Sequence, residues 1–278
     1  FHIVKSPKSY NSQVGVPLSV WQCNQEHNFG IFEAGVSKPG EMGALEFIIQ
    51  PTIGIFTNLG GAHDENFKNW EEKAKEKLRL FENSKVLIYC RDFLPIHNLI
   101  TQKSHFKELK TFTWSKKLQA DLMIGKISKT DVDSTIQGVY QNQFIKIKVP
   151  FNDDASIENC INCWATLLFL GYDSEWVNKR VKFLSPVAMR LELKEGLNNC
   201  SIINDYYNSD FSSLEIAIDF MLQQKQHPDK TIILSDILQS GKKDQELYQS
   251  VADLLERKGI RKIIGVGKNI SSQKDLFP

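Results

Sequence analysis

The sequence predicts an α/β protein built on mostly parallel sheets, and two observations predict it. Short apolar runs that end in glycine turns, such as FGIFEAG (29–35) and PTIGIFTNLGG (51–61), alternate with amphipathic helical patterns. After Pro186 this alternation restarts as strand–helix–strand–helix–strand, the order of a doubly wound, Rossmann-like parallel sheet. We therefore expect two domains, residues 1–185 and residues 186–278, with a boundary near Leu184–Pro186.

The first domain combines alternating strands and helices with an antiparallel region. A helix is expected over Phe67–Phe81, followed by the buried strand KVLIYC (85–90). ADLMIGKISK (120–129) and GVYQNQFIKIKV (138–149) are typical of antiparallel strands, the second folding back at Gln141–Asn142. Two helices then follow, over 155–172 with a stop at Gly171, and over 173–184.

The second domain repeats a strand and a helix. Strands are expected in NCSIINDYYN (199–208), KTIILSDIL (230–238) and RKIIGVG (261–267). Helices are expected between them, over 209–226 and 244–259. Because parallel strands need crossover connections of this length, the pattern predicts a parallel sheet.

Composition excludes several classes of function. The formal net charge is +1, so no overall field favours nucleic acid or an acidic membrane. No apolar run approaches the ~20 residues that span a bilayer, and scattered cysteines are typical of reduced thiols, so we expect a cytoplasmic protein. A single CxxC, Cys160–Cys163, without a nearby histidine indicates packing thiols rather than a zinc site. Residue 1 is Phe rather than Met, so we expect the true start to lie upstream.

Polar residues cluster where predicted strands end, which is where open α/β sheets bind ligands. They are Glu33, Asn58, His63, Asp205, Asn208 and Asp236. Taken singly, each is more typical of a cap or turn residue than of a ligand.

The helix over 67–81 is rich in lysine. At about 100° per residue its buried face is formed by five residues within an arc of about 80°: Phe67, Trp70, Ala74, Leu78 and Phe81. Most charges point away, and those of Lys68, Lys75 and Arg79 are expected in solvent, with Glu71 and Lys75 as an i,i+4 pair. Lys77 projects only about 20° from Trp70. It either extends to water along the apolar face or lies in an active-site wall with a lowered pKa.

Several motifs, in order and spacing, resemble the Mur ligases, and most of all the MurF type. FGIFEAGVSKPGEM (29–42), TNLGGAHDENF (57–67) and KAKEKLRLF (73–81) resemble the central domain of that family. SPKSYNSQVGVPLSVW (6–21) resembles the segment after its phosphate loop. SPVAMRLELKEG (185–196) and IINDYYNSD (202–210) resemble the entry to its C-terminal domain.

The resemblance implies an ATP-dependent amide ligase of peptidoglycan precursor synthesis. ATP would phosphorylate the carboxylate of a UDP-N-acetylmuramoyl-tripeptide, and D-alanyl-D-alanine would attack the acyl phosphate. Mg²⁺ would offset phosphate charge, since it prefers oxygen ligands and substrate phosphates. The family further implies a monomer in the cytoplasm.

The same resemblance implies roles for three metal-site residues. Glu33 would be a magnesium ligand, and His63 would lie at a second metal. Lys77 matches the family's carbamylated lysine, whose carbamate supplies anionic oxygens, so His63 and Lys77 are also the candidate catalytic residues. The alternatives are that Glu33 is a surface acid at a strand end, that His63 is a turn residue, and that Lys77 is a lysine that extends to water.

Four more residues are implied in nucleotide binding. Asn159 falls near the family's adenine-contacting asparagine, and Arg190 matches an arginine that reaches ATP. Asp205 and Asn208 match the loop that closes over nucleotide and incoming amine. Alternatively, Arg190 pairs with Glu192 or Glu195, and Asp205 caps the following helix.

Two departures from the family pattern carry expectations. The phosphate loop G-x-x-G-K-[ST] has no counterpart after Phe1, so this chain alone is expected to lack ligase activity. Ser209-Asp210-Phe211 stands where many MurF-type ligases have Ala-Asn-Pro, which weakens the assignment of the amine substrate. Some members continue into an alanine racemase domain, which this sequence does not test.

Two alternative functions stay open. One is another Mur-type or folylpolyglutamate-synthase-like ligase, because these share the metal and lysine pattern. The other is a non-catalytic paralogue that binds nucleotide or a partner, and the joint presence of Glu33, His63 and Lys77 argues against it.

Overall fold

The computed structural model describes residues 1–60, 63–102, 106, 108–185, 191–206, 210–224, 226–238 and 240–277. The strands are β1 Ile3–Lys5, β2 Phe29–Ile31, β3 Ile53–Phe56, β4 Val86–Cys90, β5 Lys110–Ser115, β6 Leu122–Lys129, β7 Ser134–Tyr140, β8 Gln143–Val149, β9 Glu192–Glu195, β10 Ser201–Asn204, β11 Ile232–Ser235 and β12 Ile263–Val266. The helices are α1 Gly15–Val20, α2 Glu41–Ile49, α3 Trp70–Arg79, α4 Leu94–Gln102, α5 Asp154–Phe169, α6 Ser174–Val181, α7 Phe211–Gln223, α8 Asp244–Arg257 and α9 Lys268–Ser272.

A six-stranded sheet in the order β3-β4-β5-β6-β7-β8 organises the first part of the chain. Strands β3 to β6 are parallel, and β6, β7 and β8 pair antiparallel. Successive residues of β4 enter different cores: Val86 and Ile88 pack on the α5 side, whereas Leu87 and Tyr89 pack on the α2–α3 side. Helices therefore cover both faces of β4, which explains its uninterrupted apolar sequence.

The hairpin between β7 and β8 confirms the predicted fold-back. Gln141 and Asn142 form its two-residue turn with φ values of 50° and 61°. Two positive φ angles in succession match the right-handed twist of the flanking strands, and asparagine adopts them at low cost.

Strands β1 and β2 form a separate parallel pair, and the segments that follow them contribute to the same core as α3. Val16 of α1 and Val36, which follows β2, belong to one buried cluster with Phe56 of β3 and Leu78 of α3. This shared core places the segment after β2 and the segment after β3 on one side of the molecule's first part.

The C-terminal part contains the predicted strand–helix alternation. Strands β11 and β12 pair in parallel around a core from α7, α8 and α9. The expectation that β10 joins β11 and β12 in one parallel sheet is wrong, because β10 instead pairs antiparallel with β9, a strand that the sequence pattern does not indicate. The chain reverses between them through Asn198 and Asn199, both at positive φ, which permits a tight turn.

Two further expectations have mixed outcomes. The proposed boundary near Leu184–Pro186 adjoins residues 186–190, which lie outside the described residues, so the division into two domains stays a prediction. All five cysteines are free thiols, but only Cys160 is buried in a core, whereas Cys163 is exposed.

None of the described helices is long and apolar enough to cross a membrane.

Candidate active site

The segment that follows β3 carries His63 in a constrained backbone conformation. His63 has φ 63° and ψ 19°, in the left-handed region, and immediately precedes a 3₁₀ turn at Asp64–Asn66. Its carbonyl accepts the Asn66 N–H at 3.1 Å, and the Asp64 carbonyl accepts the Phe67 N–H at 3.1 Å. A non-glycine residue in this conformation is strained by about 1 kcal/mol, and such strain is concentrated at functional sites.

The His63 imidazole also has an unsatisfied nitrogen. Its Nδ1 atom is buried and has no hydrogen-bond partner within the part of the chain that is described. Because buried polar side-chain atoms are nearly always paired, this nitrogen is available to a ligand. An imidazole nitrogen with a free lone pair can coordinate a metal ion, so this atom is a candidate metal donor.

Glu33 lies just beyond the carboxyl end of β2, with an exposed side chain. Its Oε1 atom accepts the Asn11 side-chain N–H at 2.8 Å, and its backbone N–H donates to Ser6 Oγ at 3.2 Å. Asn11 is itself fixed, since its carbonyl accepts the Gly35 N–H at 2.7 Å. The sequence analysis missed these supports because Ser6 and Asn11 meet Glu33 only through the pairing of β1 with β2.

Helix α3 begins at a well-formed cap. The Asn69 side chain accepts the Glu72 N–H at 2.9 Å, and Glu72 in return accepts the Lys68 N–H at 2.6 Å. This reciprocal arrangement satisfies amides at the start of the helix. It fixes where α3 starts, and therefore which lysines face β3.

The predicted apolar face of α3 is right in part and wrong at Trp70. Ala74 and Leu78 are buried, as are the flanking Phe67 and Phe81, but Trp70 is 48% exposed. Lys73 and Glu76 are buried instead. Both have polar partners: Glu76 accepts the Met42 N–H at the start of α2 at 2.9 Å, and Lys73 contacts the His63 turn.

The solvated face agrees with the sequence. Lys68, Lys75 and Arg79 are exposed, and Lys75 pairs with Glu71 at 2.5 Å. An exposed i,i+4 pair of this kind contributes a few tenths of a kcal/mol. These charges are part of the surface rather than of a site.

Lys77 differs from its neighbours in burial and in electrostatics. Its Nζ atom donates to the Asn58 carbonyl at 3.3 Å, directly after β3. Burial, reinforced by the Lys73 charge and opposed by Asp64, lowers the pKa of Lys77 from 10.5 to about 8. A substantial fraction of the amine is therefore neutral near physiological pH, and a neutral amine is a nucleophile.

Helix α5 carries one exposed and one buried asparagine. Asn159, the predicted residue, is exposed. Asn162, one turn further, is buried and accepts the Trp114 indole N–H at 2.8 Å. Asn159 is thus accessible to a ligand, whereas Asn162 satisfies a buried hydrogen-bond donor in the core.

In the C-terminal part, Asp205 follows β10 and its carboxylate accepts the Leu191 N–H at 3.2 Å. The suggestion that Asp205 caps the next helix is wrong, because Asp210 caps α7 by accepting the Ser213 N–H at 3.0 Å. Arg190 and Asn208, the other two predicted nucleotide residues, lie outside the described residues.

Asp236, also noted at a strand end, has a structural partner. Its carboxylate accepts the Ile270 N–H at 2.9 Å at the start of α9, and these backbone bonds lower the pKa of Asp236. Among the described residues there is no group of three or more His, Cys, Asp or Glu side chains that could hold a metal. A metal here would need ligands beyond these side chains.

Comparisons with known proteins identify the family. The Mur ligase middle domain matches residues 1–167. The chain is 26% identical over 290 residues to the UDP-N-acetylmuramoyl-tripeptide–D-alanyl-D-alanine ligase of Rickettsia prowazekii, covering 100% of this chain and 62% of that protein. It is 25% identical over 273 residues to the ligase of the same name from Bacillus subtilis, covering 96% of this chain and 57% of that protein. The chain therefore spans about three fifths of the length of these relatives.

Solved structures show the same fold. MurF from Acinetobacter baumannii superimposes with a TM-score of 0.85 at 21% identity, covering 99% of this chain and 60% of that one. MurF from Thermotoga maritima in complex with ADP superimposes with a TM-score of 0.78 at 18% identity, covering 99% of this chain and 66% of that one. The Mur ligase middle domain matches more than half of the residues of this chain, and the chain therefore belongs to the Mur ligase family.

Proposed function

We propose that the protein is an ATP-dependent ligase that joins D-alanyl-D-alanine to a UDP-N-acetylmuramoyl-tripeptide in peptidoglycan precursor synthesis. The substrate assignment is supported by the relatives in Rickettsia and Bacillus, which carry this name and align over 96–100% of the chain. The observation that carries the chemistry is Lys77, a shielded amine of lowered pKa beside the His63 turn.

In the proposed reaction, an oxygen of the tripeptide carboxylate attacks the γ-phosphorus of ATP, and ADP leaves. The amine of D-alanyl-D-alanine then attacks the acyl carbon, loses a proton and expels phosphate, which forms the amide bond. Such phosphoryl transfer depends mainly on positioning and on compensation of charge. The protein must therefore hold anions close together.

In this proposal Glu33, His63 and a carbamylated Lys77 would together hold Mg²⁺. The Lys77 ammonium would first lose a proton, and the neutral amine would then attack CO₂ and release a second proton, so that a cation becomes an anionic oxygen donor. Glu33 would supply a second carboxylate-type ligand, and the unpaired Nδ1 of His63 a third donor. Bound Mg²⁺ would supply charge compensation for the transferring phosphoryl group.

The remaining assignments are part of the same proposal. Asn159 would contact the adenine, and Arg190, Asp205 and Asn208 would approach nucleotide and amine from the C-terminal part. Residues 1–185 would form the ATP-binding domain and residues 186–278 the Rossmann-like domain. We further propose a cytoplasmic monomer.

The test is a ligation assay on the full-length gene product that contains this chain. It should form product from ATP, Mg²⁺, UDP-N-acetylmuramoyl-tripeptide and D-alanyl-D-alanine, with one ADP released per amide bond. Coupling of glutamate instead would indicate a folylpolyglutamate-synthase-like or other Mur-type ligase. Nucleotide binding without product from any amine would indicate a non-catalytic paralogue.

A further inference from the structure

Lys73 is one of the few buried charged residues in the described part of the chain. Its side chain is 3% exposed, and its Nζ atom lies 2.6 Å from Asp64 Oδ1 and 2.6 Å from the Gly60 carbonyl oxygen. Lysine is almost never fully buried unless it is paired, so these contacts explain how α3 accommodates it. Asp64, by contrast, is 52% exposed.

The two acceptors flank His63 along the chain. Gly60 lies three residues before His63, and Asp64 directly follows it. One ammonium group therefore joins both sides of the turn that carries the imidazole. Hydrogen bonds from a charged donor are shorter and stronger than neutral ones, so this contact adds to the constraint that the backbone bonds place on the turn.

Lys73 and Lys77 both reach the segment after β3, but in different ways. They are four residues apart and lie on the same side of α3. Within the described residues, Lys73 contacts the Gly60 carbonyl and the Asp64 carboxylate at 2.6 Å each, whereas Lys77 contacts the Asn58 carbonyl at 3.3 Å. The Lys73 ammonium is therefore engaged in structural contacts, whereas the more weakly bound Lys77 amine can react.

We infer that Lys73 is a positioning residue that clamps Gly60 to Asp64, on either side of His63, and so orients the His63 imidazole for its ligand. The clamp itself needs no assumption about activity. That the ligand is a divalent metal rests on the proposed function. No motif of the sequence analysis assigned Lys73 a role, because it was one charge among many on a lysine-rich helix.

The clamp is tested by hydrogen exchange in the Lys73→Met variant, which keeps the apolar stem and removes the ammonium. The amides of Asn66 and Phe67, which bond to His63 and Asp64, should exchange at least tenfold faster than in the wild type. The matched control is Lys75→Met, on the same helix but exposed, which should leave them unchanged. Equal exchange rates in Lys73→Met and the wild type would overturn the clamp.

Two measures keep the result interpretable. Protection of Leu87, in the buried strand β4, reports whether the variant remains folded. If Lys73→Met does not fold, Asp64→Asn replaces it, because it keeps an acceptor oxygen and removes the charge. Asp64→Asn should accelerate exchange at Phe67 less than tenfold but measurably, and no acceleration would count against the clamp.

The orientation of His63 is tested by Mn²⁺ binding, measured by electron paramagnetic resonance on the full-length gene product with ADP present. Lys73→Met should weaken Mn²⁺ binding at least fivefold, and Lys75→Met should not. Unchanged Mn²⁺ affinity together with faster exchange would overturn the positioning role. A wild-type protein that binds no Mn²⁺ would contradict the proposed metal site, and the clamp would then be judged by exchange alone.

Discussion

Replacing Lys77 by methionine should stabilise the protein while it removes the reactive amine. Burial disfavours the charged form of Lys77 and lowers its pKa from 10.5 to about 8. This lowering of the Lys77 pKa corresponds to about 3 kcal/mol of unfavourable free energy in the folded state at pH 7. Methionine removes this penalty but also the hydrogen bond to Asn58, worth about 1 kcal/mol. We expect Lys77→Met to increase the free energy of unfolding by about 2 kcal/mol at pH 7.

The pH dependence distinguishes this cause from better packing. Below about pH 8 Lys77 is protonated in both the folded and the unfolded state, so the wild type carries the full penalty. Between about pH 8 and 10.5 the unfolded chain binds the proton and the folded chain does not, so wild-type stability rises with pH. The penalty falls to about 1.4 kcal/mol at pH 9.5, which is close to the value of the lost hydrogen bond. The advantage of methionine should then almost vanish.

The assay measures the free energy of unfolding in urea at pH 7 and pH 9.5. Circular dichroism monitors the unfolding transition that includes α3. Lys75→Met is the matched control: its lysine is exposed and pairs with Glu71, so its effect should stay below about 0.5 kcal/mol at both pH values. A Lys77→Met variant less stable than the wild type at pH 7 would refute the reasoning. So would a stability gain that is the same at both pH values.

The two asparagines of α5 and two glycines give further predictions. Asn162→Ala should destabilise the protein by about 1–3 kcal/mol in urea unfolding, because it leaves the buried Trp114 indole N–H without an acceptor. Asn159→Ala should change stability by less than about 0.5 kcal/mol and instead raise the KM for ATP in the full-length gene product. A loss of stability in Asn159→Ala together with a raised KM in Asn162→Ala would contradict these two predictions. Gly241→Ala should lower stability more than Gly171→Ala, since both have positive φ but only a side chain at 241 would lie 3.2 Å from the Glu65 backbone. Equal losses in thermal unfolding would show that this contact does not matter.

The sequence was informative for several elements whose structure local periodicity decides. The hairpin at Gln141–Asn142 and the burial of Ala74 and Leu78 follow from patterns that span a few residues. Strand β9 was missed because its short, charged sequence ELKE is stabilised as a strand only by pairing with β10. Pairing partners of this kind are a tertiary property, which a periodicity argument does not include.

The burial of charge on α3 shows the same limit within the candidate site. Periodicity assigned burial by apolar character and therefore placed Trp70 inside, although it is exposed. Lys73 and Glu76 are buried because distant segments supply their partners, the Gly60 carbonyl and the Met42 N–H. Only Lys77 was singled out beforehand, and that required family resemblance in addition to its angle on the helix.

The most direct test of the central claim is detection of a carbamate on Lys77. With a pKa of about 8, about a quarter of the Lys77 amine is neutral at pH 7.5, against about 0.1% for an ordinary lysine. The measurement is ¹³C nuclear magnetic resonance of the protein in ¹³C-bicarbonate, compared among the wild type, Lys77→Met and Lys75→Met. We predict a carbamate resonance in the wild type and in Lys75→Met that disappears in Lys77→Met. Absence of the resonance from the wild type, or its persistence in Lys77→Met, would contradict the account.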